Sequence, residues 1–464
     1  PAASDADAVA LPLAVVRGAV GLLVAALAAA NLFLRSRRAR VGRAPALGIP
    51  WLALACLVVA LVAVDARWAQ LTRVRYEFLL PDAQGYRAIA AEFPQKMAHY
   101  RAQNYSALLD AVYAAGFDGR ASAPAVFYAG GNNGREPLWP ATERVVFDLL
   151  GVSAFHARVT SLLLGVIGAA LTCWFSWRAL HPLVGVTAGL LAATNWPLVV
   201  NSVAGLREEL VSVLFTVGVA ALFVSARRGA PPSWSRVALA GVSMGGVVLD
   251  RADMVVLAGG MTTLAALALR WPWRRWLAAC AIIGALAGPM YAGYAFTHHD
   301  PFYPGTYGAT VNRNLEFPER MGTPGFPSPE EYAANWAAGP TISPLKYFFG
   351  YHTVPQFVDY TLRGFWRIFT DILFVDWQKP VLWLFVAGMV LLVVTRRWLI
   401  PFLVVAALMP FYAFLAGVPN PWVFAPRYAH HAFPYAAMAA AYAAWFIPIW
   451  LGKNWSALTP WQEK

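Results

Sequence analysis

Apolar stretches recur along most of this chain, and they limit the possible fold more than any other feature of the sequence. A stretch of about 17 to 25 apolar residues, folded as a helix, is long enough to cross the hydrocarbon core of a bilayer. The lipid interior offers a backbone no hydrogen-bond partners, so segments of this kind must be helical. Charged residues make up 13% of the chain, about half of the roughly 25% typical of soluble proteins. The sequence therefore predicts an all-α, polytopic transmembrane helical bundle in which residues 1–464 form a single integral membrane domain.

The apolar pattern predicts about eleven spans, each near the length that a bilayer requires. We place them at residues 11–34, 46–64, 156–177, 183–201, 210–226, 237–248, 254–269, 276–296, 380–394, 399–415 and 432–450. Arginine clusters between these stretches mark the cytoplasmic loops, and they fall consistently on one side of the predicted bundle. This distribution also accounts for the formal charge of +12. It excludes a basic nucleic-acid-binding module, so we expect a bilayer and no nucleic acid among the partners.

Two long connections remain on the opposite, extracytoplasmic side. The first covers residues 65–155, and its segments 82–97 and 104–115 have apolar residues at helical spacing, which predicts short helices lying on the membrane interface. The second covers residues 297–379. Its segments 301–304 and 318–329 are rich in proline and predict irregular loop, whereas 358–377 predicts another interfacial helix. A long polar connection between apolar segments favours a catalytic or binding surface at the membrane edge.

Charged residues at the outer ends of spans need a physical reason, because inserting one into the middle of a membrane helix costs roughly 2.5–3.5 kcal/mol. We predict that those at the outer ends line one outward-facing cavity. The candidates are Asp82, Tyr86, Arg135, Glu136, Arg207, Glu208, Arg251, Asp253, Arg427 and Tyr428. For each charged group, a helix-end ion pair or a solvated turn without a ligand is the competing interpretation.

Two pairs of adjacent histidines stand near these charges. His298 and His299, followed by Asp300, resemble a metal cluster by composition, but adjacent histidines rarely bind one ion together. We expect hydrogen bonding or substrate contact at His298 and His299 instead, and the pair His430 and His431 is equally ambiguous. The three cysteines all lie in apolar segments, where a thiol behaves as a small hydrophobic group. We therefore predict no metal site and no obligatory cofactor, although a divalent ion stays possible.

These residue types fit group transfer at a lipid phosphate. Guanidinium groups hold phosphate oxygens in a fixed fork geometry and stabilise charge on a leaving phosphate. Arg207, Arg251 and Arg427 suit that task. A carboxylate within hydrogen-bond reach of an acceptor hydroxyl acts as a general base, and Asp82, directly after a membrane exit, is the candidate. Glycine-rich nucleotide motifs are absent from the sequence, so a soluble nucleotide donor receives no support.

An ordered series of motifs resembles the bacterial membrane glycosyltransferases of the GT-C fold. Within that fold the chain is most similar to the branch of protein O-mannosyltransferases and lipid A aminoarabinose transferases. The matching segments are Asp82 with Tyr86, Pro137-Leu138-Trp139, residues 151–158, Asn195-Trp196-Pro197, residues 207–209, the glycine-rich span 241–248, and Pro426-Arg427-Tyr428 before Pro434. Many relatives have Asp-Glu where this chain has Asp82-Ala83.

The resemblance implies a glycosyltransferase of the bacterial inner membrane with an extracytoplasmic active site. A sugar would pass, with inversion, from a polyprenyl-phosphate donor to a hydroxyl of a lipid, glycan or protein acceptor. It implies Asp82 as base and the arginines as holders of the phosphate. Two alternatives stay open. One is a polysaccharide ligase or polymerase that uses a lipid-linked glycan, and the other is a membrane transporter or flippase.

Overall fold

A computed structural model of the protein describes residues 49–73, 90, 136–223, 231–374, 378–420 and 426–451. Every regular element in these ranges is helical, which confirms the predicted all-α class. The first half comprises α1 (Ile49–Arg73), α2 (Leu138–Leu150), α3 (Ala154–Ala179), α4 (Pro182–Thr194), α5 (Trp196–Ser202), α6 (Glu208–Phe223), α7 (Trp234–Asp250) and α8 (Val255–Ala268). The second half comprises α9 (Trp273–His298), α10 (Tyr303–Glu316), α11 (Pro329–Ala334), α12 (Pro344–Gly350), α13 (Val354–Arg367), α14 (Lys379–Val394), α15 (Leu399–Gly417) and α16 (Phe433–Leu451).

Helices stand at the predicted spans from 46–64 onward, and the predicted span 11–34 lies outside the described residues. Among the described residues, three helices are long and apolar enough to cross a bilayer, at Trp51–Thr72, Ala154–Ala179 and Trp273–Phe296. Two bent pairs raise this number to five if each pair is one span. The figure of about eleven spans therefore stays a prediction from the apolar pattern.

Helices extend into both predicted connections. In the first, α1 continues without a break through Asp65 to Arg73, and α2 follows at Leu138–Leu150. In the second, the prediction of irregular loop at 301–304 was wrong for its second half, since α10 begins at Tyr303 with a proline in its first turn, a position where the missing N–H group costs nothing. The predicted interfacial helices at 82–97 and 104–115 lie outside the described residues, apart from Ala90.

The bend between α4 and α5 is held by one side chain. The two helices meet at 57°, and Asn195 lies at the corner with 1% of its surface exposed. Its Oδ1 accepts from the Leu198 N–H at 3.1 Å and so caps α5. Its Nδ2 donates to the Leu373 carbonyl at 2.8 Å and to Gln378 Oε1 at 2.9 Å. The corner is thus joined to the π-helical segment Ile368–Leu373.

Close helix crossings depend on glycine. A Cβ atom at Gly364 on α13 would lie 1.7 Å from the Ala413 carbonyl oxygen on α15. A Cβ atom at Gly388 on α14 would lie 1.9 Å from the Ala439 carbonyl oxygen on α16. Only glycine allows the backbones to approach so closely, as is common where membrane helices associate. These two crossings join α13 to α15 and α14 to α16.

Candidate functional site: a buried arginine–carboxylate network

The candidate site forms where α6 begins and α7 ends. Arg207 precedes the first turn of α6, and Glu208 opens that helix. Arg251 follows α7 in extended conformation, and a short 3-10 turn, Ala252–Met254, leads into α8. The start of α6 and the end of α7 are therefore neighbours, and the side chains at these two helix ends face one another. Sequence reasoning placed these two charged groups in one cavity, and the structure brings them into one network.

Arg207 and Glu136 form the first ion pair of this network. The same guanidinium group donates to the Asp250 carbonyl oxygen at 2.7 Å, at the end of α7. Glu136 accepts in turn from the Ala252 N–H through its other carboxylate oxygen at 3.2 Å. Glu136 therefore connects the entry to α2 with the turn after α7, although 71 residues separate it from Arg207 in sequence.

Arg251 and Asp253 form the second pair. Two guanidinium nitrogens of Arg251 contact the two Asp253 oxygens at 3.3 and 2.9 Å, which is the bidentate geometry of a strong charge-assisted pair. Arg251 also donates to the Tyr412 hydroxyl at 2.6 Å, and that hydroxyl donates to Asp253. Burial of the Asp253 carboxyl opposes ionisation and is the largest single effect, but the charge and hydrogen bond of Arg251, the Tyr412 hydroxyl and the charge of Arg207 together outweigh it and hold the pKa of Asp253 below its ordinary value. The pair is therefore ionised at neutral pH.

Arg427 and Glu208 form the third pair, with Arg427 Nε lying 3.1 Å from Glu208 Oε1. Tyr428 joins this pair to the second one. The Arg251 guanidinium carbon lies 4.4 Å from the centre of the Tyr428 ring, and that of Arg427 lies 5.4 Å from it. Both distances fall within the range of a cation–π interaction. Both guanidinium groups thus contact one aromatic ring, whose face attracts cations.

The histidine pairs occupy two different environments. His298 ends α9 and stacks on Tyr303 with ring centres 3.6 Å apart, and His299 is exposed with a φ of 55°. His298 also lies against Tyr294, whose ring neighbour Tyr291 donates to the Ala252 carbonyl at 2.7 Å. His298 is therefore two rings away from the network, and His299 faces outward.

His430 and His431 are almost fully buried beside the network. Burial, the neighbouring His431 and Arg427 lower the pKa of His430 to about 3. Burial and the positive charge of Arg251 lower the pKa of His431 to about 4, against a backbone hydrogen bond that favours the protonated ring. Both rings are therefore neutral at pH 7. They add polar groups to the site without adding charge.

Three predicted site residues, Asp82, Tyr86 and Arg135, lie outside the described residues. Sequence reasoning did not select Tyr412, because a tyrosine inside an apolar helix is usually a packing residue. Asp250, the neighbour of Arg251, belongs to the same group of outer-end charges in the sequence but was not selected as a site residue. Asp250 is completely buried, and neither of its carboxylate oxygens has a hydrogen-bond partner in the described part of the chain. A fourth carboxyl group thus stands behind the three pairs.

No described group of three or more His, Cys, Asp or Glu side chains is arranged to hold a metal ion. The site offers cationic donors framed by carboxylates, and that donor set suits an anionic ligand. The absence of a cofactor stays a prediction.

No family model and no curated protein matches the chain. A solved structure that is similar to it is the crystal structure of ArnT from Cupriavidus metallidurans bound to undecaprenyl phosphate. The two chains are 14% identical, with 84% of this chain and 77% of that chain covered and a TM-score of 0.36. At this TM-score no residue role is carried from that structure, and the function has to follow from the residues of this chain.

Proposed function

We propose that the protein is a glycosyltransferase that moves a sugar from a polyprenyl-phosphate donor to an acceptor hydroxyl at the extracytoplasmic face of the membrane. The observation that carries the proposal is the convergence of Arg207, Arg251 and Arg427 in one largely buried network. Burying a cation is costly unless it is paired. Each arginine has a carboxylate partner, yet three guanidinium groups still meet in one place, and such a cluster is typical of a site that holds a phosphate.

The pairing of each arginine with a carboxylate is compatible with this role. A guanidinium group has five N–H donors, so a salt bridge to one carboxylate leaves other donors for a phosphate oxygen. The carboxylates also fix the orientation of the guanidinium groups before the donor arrives. Groups held in this way stabilise developing charge without reorganising during the reaction.

The transfer itself makes one bond and breaks one. The acceptor oxygen bonds to the anomeric carbon, and the bond from that carbon to the phosphate oxygen breaks, with its electron pair going to the phosphate. The arginine network would stabilise the phosphate that leaves. The proton of the acceptor hydroxyl would pass to Asp82, whose role is a prediction from the sequence. Attack on the face opposite the phosphate inverts the anomeric configuration.

A transporter is the second candidate, because one observation favours it. Transporters place their binding sites at broken helices, and α15, which carries Tyr412, is bent by 61° between Leu408 and Phe411. A transporter would move a lipid or a solute across vesicles without consuming a glycosyl donor. A ligase or polymerase would instead transfer a whole lipid-linked glycan.

The decisive experiment measures sugar transfer by purified protein from a panel of polyprenyl-phosphate sugars and lipid-linked glycans. The wild type is compared with Asp82→Asn and Arg251→Lys. Arg144→Gln is the matched control, because Arg144 pairs with Asp148 on α2 rather than with the network. We expect the control to keep full activity and Arg251→Lys to lose about 100-fold, as when one donor to a transition-state oxyanion is removed.

Each result has a defined meaning. If Arg251→Lys keeps the turnover of the wild type, the network takes no part in the reaction. Turnover that survives Asp82→Asn would keep the enzyme and remove its assigned base. A wild type that consumes no donor but moves a lipid or solute across liposomes would be a transporter.

A further inference from the structure

A groove of about 660 Å³ lies on the outside of the molecule. It runs between α13 with its π-helical extension and the end of α15. Its walls include Arg363, Trp366, Arg367, Asp371, Val418 and Pro419. None of these residues belongs to the network described above, so the groove needs its own explanation.

Helix α13 carries two neighbouring rows of side chains at four-residue spacing, which places the members of each row above one another. The first row is apolar although it is exposed, with 70%, 49%, 67% and 53% of the respective surfaces accessible at Val354, Val358, Leu362 and Trp366. The second row is charged and consists of Asp359, Arg363, Arg367 and Asp371. An apolar row beside a charged row is typical of a helix that lies in the bilayer interface. The apolar row then contacts acyl chains, and the charged row lies at the depth of the lipid headgroups.

Both guanidinium groups of the groove have partners on the two helices that form it. The closeness of Gly364 to α15 fixes the distance between the two helices. Arg367 donates to the Ala416 carbonyl at 3.0 Å, which anchors its side chain to the end of α15. Arg363 donates through Nε to Asp359 at 2.9 Å and is more than half exposed. Asp359 on α13 and the Ala416 carbonyl on α15 thus hold the two guanidinium groups at the groove.

The donors and acceptors of the groove indicate the kind of ligand that fits. Arg363, Arg367 and Asp371 line it, and Asp359, which pairs with Arg363, brings the formal charge of the row to zero. A guanidinium group has five N–H donors, so the contacts with Asp359 and with the Ala416 carbonyl leave donors at both arginines for the oxygens of a phosphodiester. Asp371 supplies an acceptor for a headgroup hydroxyl. Trp366 is of the residue type enriched at the membrane–water boundary.

We propose that this groove binds the phosphodiester of an anionic glycerophospholipid, with phosphatidylglycerol as the representative. Arg363 and Arg367 hold the phosphate, Asp371 accepts a hydrogen bond from the headgroup, and the acyl chains lie along the apolar row of α13. The site is independent of the glycosyl donor. It makes a bilayer lipid a specific partner of the second long connection.

The test is native mass spectrometry of delipidated protein titrated with phosphatidylglycerol or phosphatidylcholine. Arg363→Gln and Arg367→Gln are compared with Arg320→Gln, an exposed arginine that pairs with Glu319 outside the groove. We expect each groove variant to bind phosphatidylglycerol about tenfold more weakly, because it loses a charge-assisted hydrogen bond to the phosphate. The control should bind it as the wild type does. Thermal unfolding of all variants verifies that they are folded.

Three outcomes would overturn the assignment. If Arg363→Gln and Arg367→Gln bind phosphatidylglycerol as tightly as the wild type does, the lipid does not bind in the groove. Equal affinity for phosphatidylcholine would show that charge is not recognised. Displacement of the lipid by millimolar inorganic phosphate would show that the groove takes a soluble anion rather than a lipid. If Arg367→Gln unfolds because it loses its bond to α15, Arg363→Gln alone decides the question.

Discussion

Replacement of Tyr412 by phenylalanine tests whether the second ion pair depends on its neighbour. The substitution removes one oxygen atom and preserves the ring. In the wild type the hydroxyl accepts from Arg251 at 2.6 Å and donates to Asp253. Tyr412 is 1% exposed, so water cannot easily replace either bond. The bidentate contact between Arg251 and Asp253 remains in the variant, and the buried charges are therefore not left unpaired.

The expected magnitude follows from these contacts. Each hydrogen bond to a charged group contributes about 1.5–3 kcal/mol, so two bonds set an upper limit near 6 kcal/mol. Because the two partners continue to satisfy each other, we expect a loss of about 2–3 kcal/mol in the free energy of unfolding. The assay is unfolding in mixed micelles as the fraction of denaturing detergent is increased, with a double-mutant cycle that combines Tyr412→Phe and Asp253→Asn. We expect a coupling energy of about 1–3 kcal/mol between the two positions.

Tyr435→Phe is the matched control, since Tyr435 is another buried tyrosine and has no described bond to the Arg251 pair. A loss below about 0.5 kcal/mol in Tyr412→Phe, the size expected for neutral surface changes, would refute the reasoning. A coupling energy near zero between Tyr412 and Asp253 would also refute it. In either case the short contacts around Tyr412 would contribute nothing to stability.

Two further predictions concern packing and pH. Gly364→Ala introduces a Cβ atom 1.7 Å from the Ala413 carbonyl oxygen, so α13 has to move away from α15. We expect the free energy of unfolding to fall by about 1–3 kcal/mol or more, measured by the same unfolding assay. Gly260→Ala, where no atom lies within 4 Å of the new Cβ, should change it little. The lowered pKa values of His430 and His431, about 3 and 4, make the unfolded chain bind more protons than the folded one below an ordinary histidine pKa of about 6.5. Stability should therefore be full above that pH and fall toward pH 4, by up to about 1.4 kcal/mol per pH unit for each histidine. The thermal midpoint should depend less on pH in a His431→Gln variant than in the wild type. His299→Gln, at an exposed site, should leave the pH dependence unchanged. An equal pH dependence in all three proteins would contradict the buried, neutral state of His431.

The apolar pattern predicted the helices well because the length of a span is set by the bilayer and is visible in composition alone. It did not show that α1 continues past Asp65, since a polar residue does not end a helix whose backbone hydrogen bonds continue. It failed at Tyr303, where proline in a first turn starts a helix rather than breaking one. These errors have one origin: hydropathy reports the environment of a segment, whereas helix ends depend on individual hydrogen bonds.

The candidate site was predicted in part. Arg207, Glu208, Arg251, Asp253 and Arg427 stood out because charge near an apolar span is rare. The pairing among them was not predictable, because it depends on which helix ends meet in space. Tyr412 gave no signal at all, since its hydroxyl matters only through the Arg251 pair on another helix.

The corner at Asn195 has a mechanical meaning. A bend that serves as a hinge must open at low cost, but straightening α4 and α5 would break three hydrogen bonds of one buried amide, to Leu198, Leu373 and Gln378. The corner is therefore expected to be stiff. A movement on one side of it is transmitted to the other side instead of changing the bend angle. A displacement of the π-helical segment Ile368–Leu373 would be passed through Asn195 to the start of α5 at Trp196.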